Sequence, residues 1–242
     1  MFNGGDGGVE PQITQMGADN LSRTYWRGSV FSLLVALAGL VAAEAENLDL
    51  PYYNSADFTP LWLGEGIADE VVKSHRIDSF AFTTQDGEAV TREDLKGKIY
   101  VANFFFTICG GICPDMTGNV MRVQQAFEND PSVRFLSHTV LPEHDTVERL
   151  KDYAEDKGID SRNWFLVTGE KTEIYSLARK SYFAEKGFKE DTADEFLHSE
   201  NLVLVDGEGY IRGVYNGSVA TDTKRLIADI RSLKSELIEK DS

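Results

Sequence analysis

The sequence predicts an α/β fold with a central mixed sheet, flanking helices and a β-hairpin near the C-terminus. Three observations predict it. Strand-like and helix-like apolar patterns alternate from residue 80 onward, which implies a sheet with helices packed on it. Residues 98–106 (KIYVANFFF) form a dense β-branched and aromatic run, as a strand buried on both faces requires. Asp206-Gly207 stands between two apolar runs, 201–205 and 210–215, a hairpin signal that adds an antiparallel edge.

In chain order, residues 1–22 are Gly-rich and polar and predict no element. Residues 28–43 (GSVFSLLVALAGLVAA) run 16 residues without a charge, after Arg23 and Arg27 and before Glu44. A membrane span usually needs about 20 residues, with about 17 at the short end. The basic flank, the short apolar run and Ala43-Glu44-Ala45 fit a secretory signal with A-x-A cleavage. An uncleaved anchor is the other reading, and both place the rest of the chain outside the cytoplasm, in the periplasm of a bacterium. Residues 1–45 are therefore read as an N-terminal extension. Residues 46–76, with Pro51, Pro60 and several aromatics, read as a loop-rich arm, and 77–242 as the folded domain.

Within that domain, residues 80–83 predict a short strand and Asp86-Gly87 a turn. After the 98–106 strand, Met116, Val120, Val123 and Phe127 recur at helical spacing. Pro114 suits the first helical position, which puts Cys113 at the N-cap. Residues 133–140 predict a strand, and Val147, Leu150 and Ala154 a helix that Gly158 ends. Residues 165–168 predict a strand and 171–181 a helix. After the hairpin, Leu226, Ile227, Ile230, Leu233 and Leu237 mark a terminal helix.

Lys and Arg number 24 against 40 Asp and Glu, a net charge of −16. A chain of this sign repels phosphate backbones and argues against a nucleic-acid partner or a polybasic membrane face. Any membrane contact is expected only through the N-terminal segment. With 42% apolar residues the chain can bury a core and is not disordered throughout.

Only two cysteines occur, Cys109 and Cys113. A bridge between positions so close closes a tiny loop and adds little stability. They read as a chemical pair. Thr107-Ile108-Cys109-Gly110-Gly111-Ile112-Cys113-Pro114 leaves a buried strand and enters a helix. At the N-cap, the helix dipole and free N–H groups favour a Cys113 thiolate. Gly110 and Gly111 let the loop curl so that both sulfurs face one point. Two soft thiolates at this spacing suit Cu(I) or a reversible disulfide.

A third ligand is wanted, because a two-sulfur site is open. Four histidines are candidates. His198 precedes the 201–205 strand, and it can lie near the cysteine loop only if that strand is antiparallel to its neighbour. His138 lies inside a strand and reads as a satisfied sheet histidine. His144, in Pro142-Glu143-His144-Asp145, reads as a solvated loop residue, and His75 carries no pattern. Spacing alone does not choose among them.

FFFTICGGICPDM, EHDTVERLKDYA and HSENLVLVDGEGYIRGVYNG together resemble the Sco/SenC proteins, the copper chaperones of cytochrome c oxidase assembly. The resemblance covers about residues 50–240. It implies a thioredoxin-like fold with a β-hairpin insertion. It implies copper, Cu(I) or Cu(II), held by Cys109, Cys113 and His198. It further implies delivery of copper to, or reduction of the thiols of, the dinuclear copper site of an oxidase subunit. A copper donor protein and a thiol reductase are the other partners it suggests. Two positions differ from the family's usual pattern. Val140-Leu141-Pro142 replaces Val-Asp-Pro, and Leu197 replaces an Asp before the histidine, with Asp194 and Glu195 as nearby acids. The alternative function from the residues alone is an extracytoplasmic thiol–disulfide oxidoreductase using Cys109 and Cys113, which needs no His198. A peroxidase reading is disfavoured. Thr107 is only two residues before Cys109 and no Pro precedes it nearby.

Overall fold

The structure, a computed structural model, describes residues 49–184 and 199–240, with side chains through residue 238. The apolar segment 28–43, His198 and its neighbours Asp194, Glu195 and Leu197 lie outside the described residues. All described residues belong to one compact unit, Asn47–Ser242.

The elements run α1 (Asp69–Val72), β1 (Ala81–Thr84), β2 (Ala89–Thr91), a 3-10 turn (Glu93–Leu95), β3 (Ile99–Phe105) and α2 (Cys113–Ala126). They continue β4 (Val133–Thr139), α3 (Val147–Lys157), β5 (Trp164–Thr168), α4 (Lys171–Lys180), β6 (Asn201–Val205), β7 (Ile211–Asn216) and α5 (Ala220–Lys240). Seven strands form one mixed sheet in the order β2-β1-β5-β4-β3-β6-β7. The centre, β5-β4-β3, is parallel, and β6 then runs antiparallel to β3.

Every residue of β3 is buried, and its alternation explains why. Ile99, Val101 and Phe105 face one apolar layer with α2, α3 and α5, through Met116, Val120, Val123, Leu150, Leu226, Ile230 and Leu233. Tyr100, Ala102 and Phe104 face the other, with Phe82, Val90 and the α4 residues Ile174 and Leu177. Burying such a side chain contributes about 1.5–3 kcal/mol, so a strand buried on both faces anchors the sheet.

Helix α3 begins where Thr146 accepts the Arg149 N–H (3.3 Å) and ends at Gly158, whose φ of +70° suits glycine. The hairpin β6–β7 forms as the sequence predicts, but its loop spans residues 206–210 instead of closing on Asp206-Gly207. Asp206 accepts the N–H groups of Glu208 and Tyr210, and the left-handed residue is Gly209 (φ +91°). Gly207 is needed for another reason: a Cβ there would come within 2.8 Å of the Gly97 backbone.

The arm is fastened to the domain. Arg212, 2% exposed, donates to the Leu50 and Pro51 carbonyls and pairs with Glu236 (2.9 Å) and Asp206 (3.4 Å). Its guanidinium lies 4.1 Å from the Tyr52 ring centroid. Tyr53 bridges to Ile211. Short elements inside and after the arm, α1, β2 and the 3-10 turn, are too brief to leave a periodic signature. No helix among the described residues is long and apolar enough to cross a membrane.

Candidate metal centre

Strand β3 delivers the chain to the sheet end at Phe105, and residues 106–112 turn it into α2. The Cys109 N–H bonds back to the Phe106 carbonyl (3.3 Å), tightening the loop. Neither Gly110 nor Gly111 takes a positive φ, and a Cβ on Gly111 would meet Cys109 Sγ at an ordinary 4.0 Å. The curl expected from the glycines is therefore made with ordinary backbone angles.

The helix starts one residue earlier than the sequence suggests. The Ile112 carbonyl accepts the N–H groups of both Asp115 and Met116 (3.1 Å each), so Ile112 is the N-cap. Cys113 is the first helical residue and Pro114 the second, where its missing N–H leaves no intrahelical bond unmade.

The sulfur with the lowered pKa is Cys109 and not Cys113. Cys113 is 5% exposed and packs with Phe105 and Met116. Burial pushes its thiol up to about 12, and its hydrogen bond to Cys109 adds to the rise. Cys109 is half-buried. Burial raises its pKa, but the Cys113 thiol and the backbone N–H groups of Cys113, Gly111 and Ile112 outweigh that and hold it below the ordinary thiol range. The helix-end N–H groups expected to favour a Cys113 thiolate thus collect on Cys109 Sγ. The pair is asymmetric: an accessible sulfur that accepts and a buried one that donates.

Asp145, missed by the sequence reading, is fully buried beneath the loop. Its Oδ1 accepts from the Thr107 hydroxyl (2.5 Å) and His144 Nδ1 (2.8 Å). Its Oδ2 accepts from the Thr107 N–H (3.0 Å) and the Thr139 hydroxyl (2.5 Å). His144 is accordingly a half-buried partner of Asp145 and not a solvated loop residue. The only available sequence signal was an Asp directly before the Thr146 cap of α3.

Tyr153 closes this side. Its ring lies 5.7 Å from Phe105, its hydroxyl meets Thr117 Oγ1 (3.1 Å), and burial raises its pKa, with Cys113, Cys109 and Asp145 adding to the rise.

His138 is inside β4 as expected, but it is not satisfied. Its Nδ1 is 3.4 Å from the Asn103 carbonyl, and its Nε2 is buried without a partner. Phe80, Phe82, Phe104 and Tyr182 surround it, and burial lowers its pKa to about 4. His75 Nε2 meets the Ser181 carbonyl (2.8 Å), away from the cysteines.

The structure thus brings together Cys109 and Cys113. His138 and His75 are engaged in the opposite apolar layer and its margin. Among the described residues, no group of three or more His, Cys, Asp or Glu is gathered to hold a metal ion. Strand β6 is antiparallel to β3, with Ala102 opposite Val203 and Tyr100 opposite Val205. Its first residue, Asn201, therefore stands at the sheet end where β3 delivers the cysteine loop. Two thiols, one accessible, are soft donors that fit copper(I).

The SCO1/SenC family model matches residues 69–235. The chain is 33% identical over 171 residues to the SCO1 protein homolog of Bacillus subtilis, covering 70% of this chain and 87% of that one. The solved structure of BsSco, described as a member of the Sco family of cytochrome c oxidase assembly proteins with a disulfide switch, superposes with a TM-score of 0.58. It is 33% identical and covers 66% of this chain and 94% of that one. A copper-bound Arabidopsis thaliana ScoI structure superposes with a TM-score of 0.51 at 29% identity, over 64% of this chain and 97% of that one. The matched chains share the mixed sheet and flanking helices of the thioredoxin-like fold. The chain belongs to the SCO1/SenC family, copper-binding proteins of cytochrome c oxidase assembly.

Proposed function

We propose that this protein holds copper through Cys109, Cys113 and His198 and delivers it to the dinuclear copper site of a terminal oxidase subunit. The observation that carries the reading is the asymmetric sulfur pair at the end of β3, with Cys109 Sγ gathered by backbone N–H groups and half-exposed. Bound copper would supply a cargo that prefers soft donors. Cys109 presents one such donor to solvent, where an incoming ligand of the acceptor can reach it. Cys113 holds the second inside the apolar layer, limiting its exchange with bulk thiols. His198 would complete a three-coordinate set. The antiparallel direction of β6 supports this, because it begins three residues after His198.

Residues 28–43 would export the chain or anchor it on the outer side of the inner membrane, where an oxidase subunit and a copper donor protein can meet it. A Cu(I) chelator competition on the reduced full-length chain tests the reading. One tightly held copper, weakened by His198→Ala and abolished by the Cys109→Ser/Cys113→Ser double variant, is expected. No copper retained by the reduced wild type overturns it.

The same asymmetry supports a second reading, thiol–disulfide exchange with the acceptor's cysteines. Attack by the Cys109 thiolate on a partner disulfide forms a mixed disulfide and releases one partner thiol. Cys113 then attacks that bond and releases the second. The pair gives up two electrons and two protons and becomes a disulfide. Catalytic reduction of a model disulfide that survives His198→Ala supports this reading, and no turnover with the reduced wild type overturns it.

A further inference from the structure

Asp145 makes four hydrogen bonds and has no solvent exposure, yet it sits in the short connection between β4 and α3 and forms no part of the sulfur pair. Two of its four donors come from one residue, Thr107, which stands two positions before Cys109. A third comes from Thr139, the last residue of β4, which pairs with Phe105 at the end of β3. The carboxylate therefore ties the first residues of the cysteine loop to the neighbouring strand end. Asp145 takes the Thr107 hydroxyl on one oxygen and the Thr107 N–H on the other, which fixes the backbone as well as the side chain.

The far end of the loop is fixed independently, because the Ile112 carbonyl and Cys113 belong to the first turn of α2. Between these two anchors lie residues 108–111, whose position decides whether Cys109 Sγ reaches the N–H groups of Gly111, Ile112 and Cys113. We propose that Asp145 is a positioning residue for the cysteine pair: through Thr107 it sets the near end of the loop and so keeps the Cys109 sulfur against the Cys113 thiol. His144, bonded to the same Oδ1, buttresses the carboxylate from the solvent side. This deepens the proposed function and rests on the cysteine pair being the reactive site.

The consequence is a high effective concentration of one thiol at the other. The test is the equilibrium between the reduced pair and glutathione disulfide, in which the pair loses two electrons and two protons and glutathione disulfide gains them to give two glutathiones. Asp145→Ala removes all four acceptor contacts, and Thr107→Val removes the hydroxyl while keeping the N–H contact and the β-branched shape. Asp145→Asn is the rescue variant. One orientation of its amide keeps an oxygen for the Thr107 N–H and the Thr139 hydroxyl, while its NH2 faces the Thr107 oxygen and a His144 ring that can change tautomer.

The expected result is an equilibrium constant for disulfide formation at least fivefold lower in Asp145→Ala and at least twofold lower in Thr107→Val. Asp145→Asn should stay within twofold of wild type. A purely structural role would lower Tm in Asp145→Ala and leave that constant unchanged, which would overturn the proposal. If Asp145→Ala does not fold, Thr107→Val decides it, and an unchanged constant there overturns it. The equilibrium needs no copper. Loss of copper binding in the wild type therefore overturns the proposed function without altering this measurement.

Discussion

His138 makes stability fall as the solution is acidified, by an amount its surroundings fix. The ring is fully buried among Phe80, Phe82, Phe104 and Tyr182, with Nε2 unpartnered. Burial lowers its pKa from 6.5 to about 4. The unfolded chain therefore takes up this proton at higher pH than the folded chain does. Between pH 6.5 and 4 the unfolded state binds more protons, so stability rises with pH across that window. The contribution is fully present above 6.5 and is lost as pH falls through to 4. At about 1.4 kcal/mol per unit of pKa difference, the loss from this ring comes to about 3 kcal/mol.

Urea unfolding of wild type and His138→Leu at pH 7 and pH 4 isolates it. Buried Asp206 and half-buried Asp229, whose pKa values burial raises, oppose the trend. Asp130 and Asp160, whose pKa values are lowered, add to it at the acid end. These terms are common to both proteins and cancel in the difference. Leucine removes the unpartnered Nε2 together with only the long 3.4 Å contact from Nδ1 to the Asn103 carbonyl, so the variant should cost little at pH 7. Wild type should lose about 3 kcal/mol more than the variant between the two pH values. Equal losses would refute the argument that His138 is held neutral by its aromatic surroundings.

The buried charges and the sulfur pair give three further expected outcomes. Iodoacetamide at neutral pH should label Cys109 well before Cys113, read by peptide mass, because Cys109 is half-exposed with a lowered pKa and Cys113 is buried with a raised one; equal labelling would contradict the assignment of the lower pKa to Cys109. Glu236→Ala leaves Arg212 buried with only Asp206 as a carboxylate partner and should cost about 3 kcal/mol in urea unfolding, the low end for breaking a buried ion pair. The same variant loses the Leu50 N–H contact, so limited proteolysis should cut the arm faster near Leu63 and Ile67, both exposed.

Strand β3 was legible because burial on both faces writes an unbroken apolar run, and α2 because Met116, Val120 and Val123 keep helical spacing toward one layer. The hairpin was legible from Asp206-Gly207, although the turn geometry moved to Gly209. The cysteine pair was legible from spacing, since four residues bring both sulfurs to one helix end. Which sulfur has the lower pKa was not, because it depends on Cys113 lying buried in the first turn of α2, behind an Ile112 N-cap. Asp145 was hidden for a deeper reason. Its partners Thr107, Thr139 and His144 come from the cysteine loop, the end of β4 and the loop after it, and Thr107 and Thr139 meet only when β3 and β4 pair in parallel. The orphaned His138 nitrogen was hidden likewise, since alternation along β4 predicts a face and not a missing partner.

X-ray absorption at the copper edge of the reduced, copper(I)-loaded full-length chain reads the proposed ligand set of Cys109, Cys113 and His198. Two sulfur neighbours and one imidazole nitrogen are expected, with the nitrogen lost in His198→Ala and a sulfur lost in Cys109→Ser. A spectrum of the wild type that His198→Ala leaves unchanged would contradict that set.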